Sequence, residues 1–118
     1  EILTLTTGTL SAATNRLRIT YGGTFTSDTT GAKCTAALFD GASNAIHAIT
    51  GNRASASNAH PYPLNGVYEY APGATTAKTI SVRYGANGSD TMYVNGIHTG
   101  RAFGGVLAWT LVVEEIEA

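Results

Sequence analysis

Apolar and polar residues alternate with a period of two along most of the chain, and that alternation predicts strands. In Arg16-Leu17-Arg18-Ile19-Thr20-Tyr21, the Leu, Ile and Tyr fall on one face and the Arg, Arg and Thr on the other. Thr79-Ile80-Ser81-Val82-Arg83-Tyr84 repeats the pattern, which places Tyr84 inward with Ile80 and Val82. Cys34-Thr35-Ala36-Ala37-Leu38 sets Cys34, Ala36 and Leu38 on an inner face. No segment carries apolar residues at i, i+3, i+4 and i+7 over three turns. Half-buried antiparallel strands read this way.

The breaks agree with that reading. Asp40-Gly41, Asn65-Gly66, Asn87-Gly88 and Asn95-Gly96 tolerate the positive φ of tight hairpin turns. Gly22-Gly23, Pro72-Gly73 and Gly104-Gly105 mark further breaks. Strands are expected near residues 2–7, 15–25, 32–40, 45–50, 67–71, 78–85, 90–95 and 106–117, with 51–66 as the longest irregular stretch. Such spacing predicts an all-β antiparallel sandwich of jelly-roll type, with about eight to ten strands.

The last expected strand differs from the others. Leu107, Trp109, Leu111 and Val113 share one face, and Ala108, Val112 and Ile116 lie on the other. A strand apolar on both sides is buried on both sides, so its outer side needs a cover. The cheapest cover is a neighbouring subunit, and self-association is the expectation.

Composition narrows the function classes. The 118 residues suit one domain of residues 1–118, large enough for one core. Charged residues make up 13% and the net charge is −1, which argues against a nucleic-acid partner. No apolar run approaches the ~20 residues of a membrane span, so no membrane insertion is expected. The single cysteine, Cys34, excludes an internal disulfide and a cysteine-based zinc site. A strand-like opening at Ile2-Leu3-Thr4-Leu5-Thr6 and a strand-like ending suggest the C-terminal domain of a longer polypeptide.

The strand at residues 78–85, following Ala71-Pro72-Gly73, resembles the entry into the aromatic-rich strand of jelly rolls of the complement-globular-head and tumour-necrosis-factor type. Phe103-Gly104-Gly105-Val106-Leu107 is similar to the small-residue entry into their last strand. Trp109-Thr110-Leu111-Val112-Val113-Glu114-Glu115-Ile116 resembles the endings of bacteriophage tail-fibre and virion-associated domains. Leu10-Ser11-Ala12-Ala13-Thr14-Asn15-Arg16-Leu17-Arg18-Ile19 and Ala37-Leu38-Phe39-Asp40-Gly41 fit the same kind of domain. The resemblance implies a homotrimer with one sheet of each subunit packed round a threefold axis. It also implies a virion location, capping a fibre and touching a receptor or other virion proteins. Fold alone does not fix that function.

Chemistry is sparse. Glu115 and Glu117 could share a face as an acid–base pair, but with Glu114 they read better as charged gatekeepers at the end of a sticky strand. His47, His60 and His98 are scattered with no HxH or HExxH spacing. Ser27-Asp28-Thr29-Thr30-Gly31 and Asn87-Gly88-Ser89-Asp90 hold oxygen ligands for calcium yet read as ordinary turns. No GxSxG elbow occurs, Cys34 reads as a small core hydrophobe, and Asn87-Gly88-Ser89 reads as a hairpin rather than a glycosylation site. No catalytic residue, cofactor or metal is expected, and the chain is read as a non-enzyme.

Two sets of residues carry the functional expectation. In the stretch Asn58-Ala59-His60-Pro61-Tyr62-Pro63-Leu64, two prolines flank Tyr62 and present its ring at little entropic cost. Beside Asn52, Arg53, Asn58 and His60, that ring could stack a sugar, which makes these five residues the candidate receptor contacts; packing of Tyr62 over one end of the sandwich or into a subunit contact is the plainer alternative. Tyr68 and Tyr70 share a face, and Tyr93 lies opposite Met92 and Val94. Outward tyrosines suit subunit contacts, so Tyr68, Tyr70, Tyr93, Trp109 and Val112 are the candidate interface. Arg16, Arg18 and Arg83 are read as outward partners for Glu69 or a neighbour's carboxylates.

The expectation is a trimeric virion domain for fibre assembly and attachment to a host-surface glycan or protein. A monomeric carbohydrate-binding β-sandwich module and a purely structural virion collar or decoration domain are the alternatives.

Overall fold

The computed structural model describes residues 2–28, 30–52, 61–97, 100–101 and 105–118. Within them the chain is all β: β1 (Leu3–Thr6), β2 (Arg16–Ser27), β3 (Lys33–Asp40), β4 (Asn44–Asn52), β5 (Tyr62–Tyr70), β6 (Thr79–Ala86), β7 (Met92–Val94), β8 (Gly96–Ile97), β9 (Gly100–Arg101) and β10 (Thr110–Ile116).

Two antiparallel sheets form a sandwich. One has the order β1-β6-β3-β4 and the other β10-β2-β5, while β8 and β9 pair only with each other. The strand β7 pairs with β2 at Phe25–Ser27. Because β5 holds the opposite edge of β2 at Phe25, β7 continues the edge that β10 occupies lower down.

The period-two alternation sets the core. Leu17, Ile19, Tyr21 and Phe25 of β2 face Cys34, Ala36 and Leu38 of β3 and Ile80 and Val82 of β6, all buried in one cluster. Each such aliphatic or aromatic side chain removed from water contributes about 1.5–3 kcal/mol before the entropy of ordering it.

Four local expectations are corrected by packing. Gly22-Gly23 lies inside β2 and Asn65-Gly66 inside β5, neither forming a turn. A Cβ at Gly66 would come within 3.0–3.1 Å of the Tyr21 ring and Ile49, so glycine is needed there for close approach. Strand β5 starts at Tyr62, within the stretch expected to be irregular. It lies at the edge of its sheet, where Pro63 can sit without breaking a ladder on both sides. Tyr84 shares the parity of Ile80 and Val82 but is 40% exposed, near the end of β6. The turns at Gly41 (φ 73°), Gly88 (φ 66°) and Asn95 (φ 64°) have the left-handed backbone their sequences suggest, but of the three only that at Gly41 joins paired strands, since β6 and β7 belong to different sheets and β7 does not pair with β8.

Candidate functional site

Strand parity decides which residues can meet a partner. On β2 the outward positions are Arg16, Arg18, Thr20 and Gly22, since Leu17, Ile19 and Tyr21 point inward. Register carries each outward position across the sheet. Val112 lies beside Thr20, and Thr20 lies beside Val67. Val67 is 61% exposed and Val112 49%, so two valines open to water flank the exposed Thr20 in the middle of this face. One rung further along, Glu114, Arg18 and Glu69 form a charged row. Arg18 Nη2 donates to Glu69 Oε1 at 3.2 Å, and Arg16 Nη1 lies 3.7 Å from Glu69 Oε2. Exposed pairs of this kind contribute about 0–1 kcal/mol. Their larger effect is to place charges round the valines and define the patch's rim.

Three of the five candidate interface residues do not lie on an outer face. Trp109 is 4% exposed and sits in the chain's own core, with its Nε1–H donating to the Thr24 carbonyl at 2.8 Å. Tyr68 and Tyr70 alternate with the exposed Val67 and Glu69, and they face the interior at the open side of the sandwich. Tyr68 stacks on His47 with ring centres 4.6 Å apart and planes 9° apart. Tyr70 Oη–H donates to Asp40 Oδ2 at 2.7 Å, and Lys78 Nζ lies 3.5 Å from the same oxygen. The Tyr70 hydroxyl finds its polar partner, and the Tyr68 ring its stacking partner, within the chain. Val112 faces outward, and Tyr93 lies opposite the buried Met92 and is half-buried. Val67, which sequence reasoning missed, would have followed from putting Leu64, Tyr68 and Tyr70 on the same inner face.

The candidate receptor contacts are only partly described. Asn52 ends β4 and is exposed. Tyr62 is the first residue of β5, half-buried with its ring 6.0 Å from that of Phe25. It packs over one end of the core instead of standing on a loop. Arg53, Asn58 and His60 lie outside the described residues.

The ionisable groups with shifted protonation hold structure. Tyr21 Oη lies 2.9 Å from His47 Nδ1, and burial pushes the Tyr21 phenol up to about 12. Burial, and then the hydrogen bond to Asp40, push Tyr70 up to about 12. Glu115 Oε1 accepts from Asn15 Nδ2 at 2.7 Å, from the Ser11 hydroxyl at 2.8 Å and from Ser11 N–H at 2.7 Å. Those bonds, the one from Asn15 foremost, hold its carboxyl below the ordinary carboxylate value. They clasp the end of β10 to the turn before β2. Burial, with Asp90 and Asp28 nearby, raises the Cys34 thiol, the direction opposite to a reactive thiolate. Among the described residues no three His, Cys, Asp or Glu side chains gather as a metal site. No protein-family model and no curated protein matches the chain.

Proposed function

We propose that this chain is a non-catalytic assembly and attachment domain of a virion fibre, a homotrimer whose subunits meet through the outer face of the β10-β2-β5 sheet. The observation that carries the reading is the exposed mid-sheet row Val112–Thr20–Val67, two valines about a threonine, with Arg16, Arg18, Glu69 and Glu114 beside it. An interface with a dry centre and a charged rim has this layout. A stable contact buries about 800 Å² per partner, so the valines would form the centre of a larger contact that includes the charged rungs. The likeness of the last strand to tail-fibre endings supports the virion setting, on the particle's outer side.

In that setting the trimer fixes the fibre's end and repeats any ligand site three times, so weak single contacts gain avidity. Replacing Val67 and Val112 together by glutamate should dissociate the trimer while leaving the inward-facing core intact. Sedimentation velocity beside circular dichroism tests this. A trimer that survives both charges removes this sheet as the interface.

A monomeric carbohydrate-binding module is the second reading. It is favoured by a shallow trough on the opposite sheet, which would serve a single chain equally well.

A further inference from the structure

Among the described residues, Arg16, Arg18 and Lys78 each meet a carboxylate of the chain. Lys33 and Arg83 meet none, and both project from the outward face of the β1-β6-β3-β4 sheet, opposite the valine row. That parity follows from Cys34 and Val82, their buried neighbours. No carboxylate occupies an outward strand position of β3, β4 or β6. The outward strand positions of this face therefore hold two cations and no carboxylate.

Between the two cations lies a trough of about 300 Å³ lined by Thr35, Ala37, Arg83, Tyr84, Gly85 and Asn87. Its floor is made of small residues, and a Cβ added at Gly85 would meet nothing within 4 Å. The guanidinium of Arg83 is held in place at one end. It sits 4.1 Å over the Phe39 ring, and its Nη2 donates to the Gly41 carbonyl at 3.3 Å, which leaves its other N–H groups uncommitted. At the other end Asn87 N–H donates to the Lys33 carbonyl at 3.0 Å and Lys33 N–H donates to Asn87 Oδ1 at 2.7 Å. The Asn87 amide is thereby oriented with its Nδ2 donor still available. From Arg83 to Asn87 the strand direction spans about 13 Å, at roughly 3.3 Å per residue.

We propose that this trough binds an acidic saccharide. A sugar carboxylate meets Arg83, a pyranose ring lies on the Ala37–Gly85 floor, and ring hydroxyls bond Thr35 Oγ1 and Asn87 Nδ2. Arg is suited to the task because its planar fork pairs a carboxylate through two parallel bonds. The flat floor offers no sockets for alternate side chains, which favours a sugar over an acidic peptide. This deepens the attachment reading, on which it rests for its biological setting, by naming a ligand class and a site away from residues 52–62.

The test is a titration of the intact protein, followed by NMR or calorimetry. The probes are oligogalacturonate, its methyl ester, sialyllactose and an oligoglutamate peptide, and the mass in solution is read in parallel. At least one carboxylated sugar should bind with a millimolar Kd or tighter, about tenfold better than the uncharged ester. Arg83→Gln should bring the acid down to the ester's level. Gly85→Leu, whose Cβ has open space, should obstruct the trough and weaken binding at least about tenfold while thermal unfolding stays unchanged. The proposal is overturned if neither carboxylated sugar binds at about 10 mM, if Gly85→Leu binds as the parent does, or if oligoglutamate binds as tightly. A trimer that binds no sugar removes the trough and leaves the assembly reading; a monomer that binds does the reverse.

Discussion

The indole of Trp109 occupies the space that a side chain at residue 23 would need. A Cβ built on Gly23 falls 2.5 Å from two of its ring atoms. The same indole donates to the Thr24 carbonyl, so the chain just before β10 is anchored across the middle of β2 by one residue. Gly23→Ala should cost about 1–3 kcal/mol through overpacking, and Trp109→Ala about 3–5 kcal/mol through the cavity it leaves. With the ring gone, the added methyl has room, so the double variant should be less damaged than the sum, by about 0.5–3 kcal/mol. Urea unfolding of all four proteins measures this. Additive costs would show that the two sites are independent.

The clasp on Glu115 predicts an acid-dependent stability. Its folded carboxyl binds a proton less readily than the free value of 4.5. The stability it contributes is therefore complete above that value and is lost as pH falls through the lower folded value. Glu115→Gln removes the charge that accepts three donors from Ser11 and Asn15. The variant should melt below the parent at neutral pH, and the gap should narrow as the pH drops below 4.5. A gap of constant width from pH 7 to strong acid would contradict the clasp.

The buried phenols predict the opposite limb. Tyr21 and Tyr70 are both raised from 10 to about 12. Their contribution is present below pH 10 and is lost as the pH rises from there through about 12. Phenolate absorbance should show these two rings ionising late, with unfolding following in the same range. Tyr70→Phe should remove one late step and cost about 1 kcal/mol, from the lost hydrogen bond to Asp40.

The core was legible because alternation is local. Leu17, Ile19 and Tyr21, and Cys34, Ala36 and Leu38, point inward as their spacing requires. Tyr68 and Tyr70 were placed on the wrong face because their partners lie far away in sequence. His47 of β4 and Asp40 of β3 reach them only once their sheet packs against the sheet that carries β5. The glycine pairs failed for the same reason: Gly23 serves Trp109, 86 residues on in numbering, and Gly66 serves the Tyr21 ring. The double-sided apolar character of the last strand did point to Val112, but its partner in the row, Val67, was hidden by the inverted parity of β5.

Self-association through that row is the account's central claim, and the mass in solution tests it most directly. Size-exclusion chromatography with light scattering across a dilution series should give about 37 kDa, three chains of 12.2 kDa, persisting as the protein is diluted. A species that stays at 12.2 kDa at every concentration would contradict the assembly claim and leave the Val112–Thr20–Val67 face as ordinary exposed surface.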